Sequence, residues 1–210
     1  MNGDALRDLV VLVADQPMLY SVLGLLSRPV ALGIRPLTHD IYTHPEHDPG
    51  CLLRGHDLLR LYVNRYRHAL VVFDQEGCGR EDLSRDTLER DVQDRLSKSG
   101  WGDRATAIAI SPELEIWVWS DSPQVDSVLG WAGRQPDLRS WLEAEGFAKT
   151  QQNKPHSPKE AFEKALRQAR KPKSSSLYRQ LAETVSVGRC LDPAFLKFKA
   201  TLRTWFPREA

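Results

Sequence analysis

Carboxylates recur where apolar runs end. Ala69-Leu70-Val71-Val72-Phe73 is a continuous β-rich run, and Asp74 and Glu76 follow it, separated by one residue. In extended backbone, residues i and i+2 project from one face, so the two carboxylates point the same way. Gly77 and Gly79 allow a sharp turn directly afterwards. Two like charges at one place repel unless a proton or a cation joins them. Carboxylate, water and phosphate oxygens are the ligands of hard divalent ions, so the pair is a candidate site for Mg²⁺ or Mn²⁺. A second pair, Glu113 and Glu115, flanks Leu114 at the head of EIWVWSD, which is read as a strand with Trp117 on the carboxylate face. Asp15 closes the first apolar run, residues 9–14, and completes the cluster if that strand is central. The competing reading for such residues is a turn or a helix cap. Asp15 either points into the crevice beside Asp74 or caps the helix that follows Pro17. Asp121 is read as the N-cap of SPQVDSVLGW.

Other chemistry-bearing residues are weaker candidates. His39, Asp40, His44, His47 and Asp48 fall within ten residues, but their spacing matches no metal motif, and HPEHDPG reads as a polar loop that borders the crevice at most. Cys78 has no evident base nearby. Ser174-Ser175-Ser176 lacks the context of a phosphate-binding loop, and neither a Walker motif nor a dinucleotide fingerprint occurs. From Lys149 to Lys173 the chain is strongly basic. Lys154, Lys159, Lys164, Arg167, Arg170, Lys171 and Lys173 form a candidate phosphate-binding stripe, against the alternative of a solvated helix face. Trp117, Trp119, Trp131 and Trp141 lie in apolar-periodic segments and are read as core.

The elements that must position these residues follow from periodicity. Strands are expected at 9–14, 37–42, 69–73, 105–110 and 114–119. Helices are expected after Pro17, around Leu58–Tyr66 and from about Glu81 to Leu96. Uninterrupted apolar strands suit a sheet covered on both faces, so the fold class is α/β, a mostly parallel sheet flanked by helices. Beyond residue 125 the pattern turns helical, with segments around 161–170, 177–185 and 195–205. The organisation is thus a core over 1–125 and a helical region over 126–210, either separate or packed on it as one domain.

Composition narrows the class of function. Hydrophobic residues make up 41% and charged residues 27% of 210, too apolar for disorder, and the net charge of +1 asks for no anionic partner. Three cysteines without a CxxC argue against thiolate zinc. No run approaches the ~18 apolar residues of a membrane span, and the N-terminus lacks a signal-peptide pattern. The expectation is a cytoplasmic protein with reduced thiols and no membrane partner.

LVADQP (12–17), VVFDQEG (71–77), ISPELEIWVWSD (110–121) and LDPAFLKFKATL (191–202) together resemble the Toprim proteins. They are most similar to the small stand-alone Toprim-like proteins of bacterial anti-phage defence loci, relatives of the overcoming-lysogenization-defect nucleases. The resemblance implies a Rossmann-like sheet and Mg²⁺- or Mn²⁺-dependent phosphodiester hydrolysis. It implies Asp15, Asp74 and Glu76 as catalytic residues, and Asp74, Glu76, Glu113 and Glu115 as metal ligands. It also implies a nucleic-acid partner, DNA in preference to RNA, and a partner ATPase or other defence subunit; the basic stripe offers Lys154, Lys159, Arg167, Arg170, Lys171 and Lys173 to hold the nucleic acid. The sequence departs from the family at its first motif, where Ala14-Asp15-Gln16 stands for glutamate-glycine. The alternative is therefore a catalytically inactive Toprim-like subunit that binds nucleic acid or the ATPase.

Overall fold

A computed structural model describes residues 6–148 and 154–208 of the protein. Four strands, β1 (Arg7–Val13), β2 (His39–Thr43), β3 (Tyr66–Asp74) and β4 (Ala105–Ile110), form an all-parallel sheet in the order β2-β1-β3-β4. Parallel neighbours require crossovers, and helices supply them. Between β1 and β2 lie α1 (Gln16–Leu26) and the single turn α2 (Pro29–Leu32); α3 (His47–Arg60) joins β2 to β3, and α4 (Arg85–Leu96) joins β3 to β4. Right-handed crossovers in this strand order put α1 on one face and α3 with α4 on the other. Both central strands are therefore covered twice, and residues Leu9–Val13 and Ala69–Phe73 are fully buried. The α/β class expected from the uninterrupted apolar runs is what the chain adopts.

The second half of the chain consists of short helices: α5 (Glu115–Val118), α6 (Pro123–Leu129), α7 (Leu138–Ala144), α8 (Pro158–Ala169), α9 (Ser175–Thr184) and α10 (Pro193–Trp205). They share one continuous apolar cluster with the sheet. α9 packs along α1, and α10 runs beside β4. There Lys197 Nζ donates to the Ala107 carbonyl at 2.9 Å and Glu89 Oε1 accepts from Ala109 N at 2.9 Å, so side chains satisfy the free edge of β4. The α1–α9 approach depends on Gly24, where an added Cβ would lie 2.8 Å from both Ala182 Cβ and the Arg179 carbonyl oxygen. Gly24→Ala is expected to cost about 1–3 kcal/mol through overpacking. Calorimetry should show a melting temperature lower by about 3–9 °C.

Several sequence expectations are corrected. HPEHDPG is not a loop, because α3 begins at His47. Pro49 sits in the first turn, where its missing N–H had no partner to lose. That helix ends at Arg60; Leu61 is exposed, and Tyr66 opens β3. α4 starts at Arg85 with Ser84 as its cap, whereas Glu81 accepts from Gly77 N and Gly79 N. The expected strand over 114–119 is absent, since after Ile110 the chain leaves the sheet and Glu115–Val118 coils into one turn of helix. Its residues are buried on every side, and a short apolar run enclosed in this way looks the same in sequence whether strand or helix. Ser122, not Asp121, occupies the cap position of α6; Asp121 is exposed and pairs with Arg139 at 2.6 Å. The four tryptophans read as core are buried, as is Trp101, whose Nε1 donates to the Leu59 carbonyl at 3.2 Å.

Candidate functional site: a carboxylate cluster at the strand switch point

The sheet reverses its winding between β1 and β3, since β1 leads outward to β2 and β3 leads outward to β4. Crevices at such a reversal, beyond the strands' C-terminal ends, are where open α/β sheets bind ligands. The register runs to Val13↔Val72, and two residues further along each strand stand Asp15 and Asp74. Asp15 keeps extended backbone, with φ −150° and ψ 179°. The two carboxylates therefore leave adjacent strands in one row, at an interstrand spacing of about 4.8 Å.

Asp15, Asp48 and Glu115 each accept a protein hydrogen bond through one oxygen, and Glu113 meets Lys159 through both. Asp15 Oδ1 accepts from Met18 N at 2.9 Å, so the residue caps α1, and its charge acts on Asp74 and Asp48. Of the two readings of Asp15, the helix cap is the one a hydrogen bond shows. Asp48 enters from the first turn of α3, and its Oδ1 accepts from Asp74 N at 2.7 Å. Here the polar segment does border the crevice, because His47 Nδ1 lies 3.1 Å from the Ala14 carbonyl oxygen and ties α3 to the end of β1. Glu115 Oε1 accepts from the Tyr178 hydroxyl of α9 at 2.5 Å, and Lys173 Nζ stands 4.0 Å away. Glu113 Oε1 accepts from Lys159 N at 2.9 Å, with Lys159 Nζ 3.5 Å from its other oxygen.

Asp74 is the exception. Its Oδ1 is closed off from solvent and has no hydrogen-bond partner. Burial, followed by the charges of Asp48, Glu115 and Asp15, pushes its carboxyl well above the usual range, with the Leu114 N–H acting in the opposite sense. Asp48 is also raised, by burial first and by Asp15 among the neighbouring charges. Burial and the nearby Asp48, Asp15 and Asp74 charges likewise raise the Cys51 thiol, which excludes it as a thiolate. Burial and Glu115 raise Glu113. Burial works against charge on Lys159, yet Glu113, Glu115 and Asp74 hold its ammonium above the ordinary lysine value.

Of the carboxylates singled out from sequence, the fold thus gathers Asp15, Asp74, Glu113 and Glu115. Glu76 is exposed on the turn after β3, because the strand ends at Asp74 and alternation ends with it; its charge reaches the cluster through Glu113. Asp48 and Tyr178 were not foreseen as site residues, and Lys159 and Lys173 were singled out for nucleic-acid binding, not as partners of the carboxylates. Asp48 and Lys159 had weak signals as members of a His/Asp cluster and of a basic run, whereas Tyr178 had none.

The basic segment is spent largely on internal contacts. Lys154 Nζ donates to the Ile116 carbonyl at 2.9 Å, Lys171 donates to the Val128 carbonyl, and Lys173 pairs with Glu163 at 2.8 Å. Lys164 stands 3.6 Å from Glu160, and Arg167 stands 4.0 Å from Glu163. Arg170 is exposed at the left-handed end of α8. Lys149 lies outside the described residues.

The donor set suits a hard cation chemically, being all oxygen. Asp15 and Asp48 each keep a second oxygen with no protein partner among the described residues, and Asp74 Oδ1 has none either. As they stand, no three His, Cys, Asp or Glu side chains among the described residues converge as a metal-holding group. No helix among these residues is long and apolar enough to cross a membrane. Comparison of the chain with protein-family models, with curated proteins and with solved structures returns no match.

Proposed function

We propose that the switch-point crevice is a divalent-cation site for phosphodiester hydrolysis, making the chain a Toprim-like nuclease subunit. The observation that carries this reading is the orphaned Asp74 Oδ1, which faces a site where Asp15, Asp48 and Glu115 add negative charge. An enclosed carboxylate crowded by others is costly unless a proton or cation joins it, and strongly raised acids concentrate at working sites. Asp15, Asp48 and Asp74, which do not converge as a metal-holding group as they stand, would have to draw together to hold Mg²⁺ or Mn²⁺ through the oxygens not engaged by Met18 N and Asp74 N. When bound, the ion polarises phosphate and lowers the pKa of water. Met18 N and Asp74 N orient two of these carboxylates, as outer partners commonly do at metal sites. Lys159, a cation beside Glu113, Glu115 and Asp74, is placed to meet phosphate oxygen at the rim. The assignment to an anti-phage assembly with an ATPase, and to DNA in preference to RNA, rests on the sequence resemblance.

One observation favours a second reading, that of a catalytically silent subunit binding nucleic acid or a partner. Glu113 is already engaged by Lys159 and Glu115 by the Tyr178 hydroxyl, leaving only part of the acidic set for metal. Titration calorimetry with Mn²⁺ separates the two. Wild type is expected to bind in the micromolar to millimolar range, with the site lost in Asp74→Ala. Equal heats from both proteins would leave the silent subunit standing. In the same preparation, replacing Arg170, Lys171 and Lys173 with glutamine should flatten the salt dependence of DNA binding by up to about three phosphate contacts. An unchanged slope would return these residues to structural work.

A further inference from the structure

The other end of the sheet, where the strands begin, carries the opposite sign of charge. Residues 7–8, 35–40, 60–68 and 97–104 flank the strand starts and hold seven arginines and lysines against three aspartates, in a chain whose net charge is +1. Two of the aspartates are taken. Arg35 Nη2 pairs with Asp8 Oδ1 at 2.6 Å, and Asp40 is held by Arg7 and by the Tyr66 hydroxyl. Arg104, just before β4, spends its guanidinium on the chain itself. Its Nη1 donates to the Tyr66 carbonyl at 3.1 Å and to the Arg67 carbonyl at 3.3 Å, which pins the turn carrying Arg65 and Arg67. The two basic turns also touch, since Trp101 Nε1 donates to the Leu59 carbonyl at 3.2 Å.

Four cations are left over. Arg60 at the end of α3 and Lys98 in the turn after α4 are exposed, and their side chains make no hydrogen bond or ion pair among the described residues. Arg65 is exposed, and its guanidinium meets only the Tyr62 ring, 5.8 Å from the centroid. Arg67 is 59% exposed and stands 3.9 Å from Asp8, an acid that Arg35 already holds. The helix dipole favours cations at the ends of α3 and α4 and accounts for Arg60 and Lys98. It does not account for Arg65 and Arg67, which flank Tyr66 at the start of β3. Unpaired like charges gathered on adjoining turns repel one another, and an external polyanion relieves that repulsion.

We propose that this end of the sheet docks the phosphate backbone of a nucleic acid, with Arg60, Arg65, Arg67 and Lys98 taking phosphate oxygens. The planar guanidinium fork takes phosphate oxygens in pairs, and closely spaced phosphates match a spread of unpaired cations. Such contacts carry no sequence information, so the binding tolerates any sequence. The face lies at the end of the sheet away from the carboxylate crevice and does not rest on the reading given to that crevice.

Fluorescence anisotropy on the full chain tests the proposal with a labelled oligothymidylate of about 20 nucleotides. EDTA in the buffer removes any metal-dependent contribution of the crevice. Wild type is expected to bind at about 1–100 μM in 50 mM salt, with affinity falling steeply as salt rises. Replacing Arg60, Arg65 and Arg67 together with glutamine should weaken binding at least tenfold. It should also lower the slope of log affinity against log salt by about 2, at an unchanged melting temperature. Arg60→Gln with Lys98→Gln, two side chains without a partner in the fold, should lower the slope by about 1.4. The same drops should appear in a background that already carries glutamine at 170, 171 and 173, which separates this face from the stripe beside the crevice. Equal affinity and slope in wild type and both variants overturns the proposal, as does no anisotropy change up to about 1 mM protein. Tighter binding of polyglutamate than of oligothymidylate at the same ionic strength overturns it in favour of an acidic protein partner.

Discussion

Asp74→Asn is expected to melt at a higher temperature than wild type and, if the proposed function holds, to lack the divalent-metal binding and phosphodiester cleavage of wild type. The amide keeps the shape of the carboxyl and removes a charge that the surroundings penalise. Leaving a buried polar group unmatched costs about 1–3 kcal/mol, more when it is charged. The amide still leaves a polar atom unmatched but sheds the charge. Each kcal/mol so relieved corresponds to a rise of about 2–4 °C for a chain of this size. The sign with pH follows from the raised carboxyl, whose ordinary value is 3.8. Between that value and the raised folded one, the native state keeps a proton that the unfolded state releases. Wild-type stability should therefore fall as pH climbs out of the acid range and level off above the raised value. Asp74→Asn should flatten that profile. Mn²⁺ should restore wild-type stability at neutral pH by mass action and leave the variant unmoved. Cleavage should fall by at least about 10²-fold, as when one ligand of a catalytic ion is lost. Differential scanning calorimetry across pH, with and without Mn²⁺, reads the first three effects. A variant that melts lower than wild type in metal-free buffer at every pH would refute this account of Asp74.

Asp192→Ala should produce the largest loss of stability at any single polar residue of the C-terminal helices. Its Oδ1 accepts from Trp117 Nε1 at 3.0 Å, Ala194 N at 3.0 Å and Phe195 N at 3.1 Å. One carboxylate thus caps α10 and satisfies the buried indole of α5. Losing the cap costs about 0.5–2 kcal/mol. Stranding the indole N–H costs about 1–3 kcal/mol more. A fall of roughly 5–15 °C in melting temperature is expected. α5 also carries Glu115, so the loss reaches the site. The Tyr178 bond to Glu115 should loosen, and Mn²⁺ affinity should drop by less than in Asp74→Ala. Asp192→Asn keeps an acceptor oxygen and should recover more than half of the stability. Equal destabilisation by alanine and asparagine would mean that the contacts of Oδ1 are not what holds α10 and α5 together.

The resembling stretch 191–202 therefore does structural work, which sequence alone leaves undecided. An Asp-Pro pair before an amphipathic helix marks an N-cap locally. That the same oxygen also takes an indole proton from a residue 75 positions earlier depends on packing.

Local chemistry was enough to establish the sheet strands and their burial. The runs 9–14 and 69–73 carry no polar alternation, and only a sheet covered on both faces accommodates them. Placing Asp15 and Asp74 at strand ends required nothing beyond where those runs stop. Strand order and register, which put the two aspartates side by side at the switch point, came from tertiary structure, because nothing local says which strands pair. The same holds for Asp48, whose segment reads as a loop until the end of β1 and the Asp74 N–H give it partners. Glu113 and Glu115 show the limit most sharply. Alternation placed both on one face of a strand, yet the sheet closes at β4 and the run coils into a helical turn. Both acids still reach the cluster, held by Lys159 of α8, Tyr178 of α9 and Lys173 of the link between them, all much later in the chain. Strand burial is set by each segment's own apolar content, which sequence displays. Convergence of charges depends on distances between segments far apart in the chain, and only the packed structure sets those.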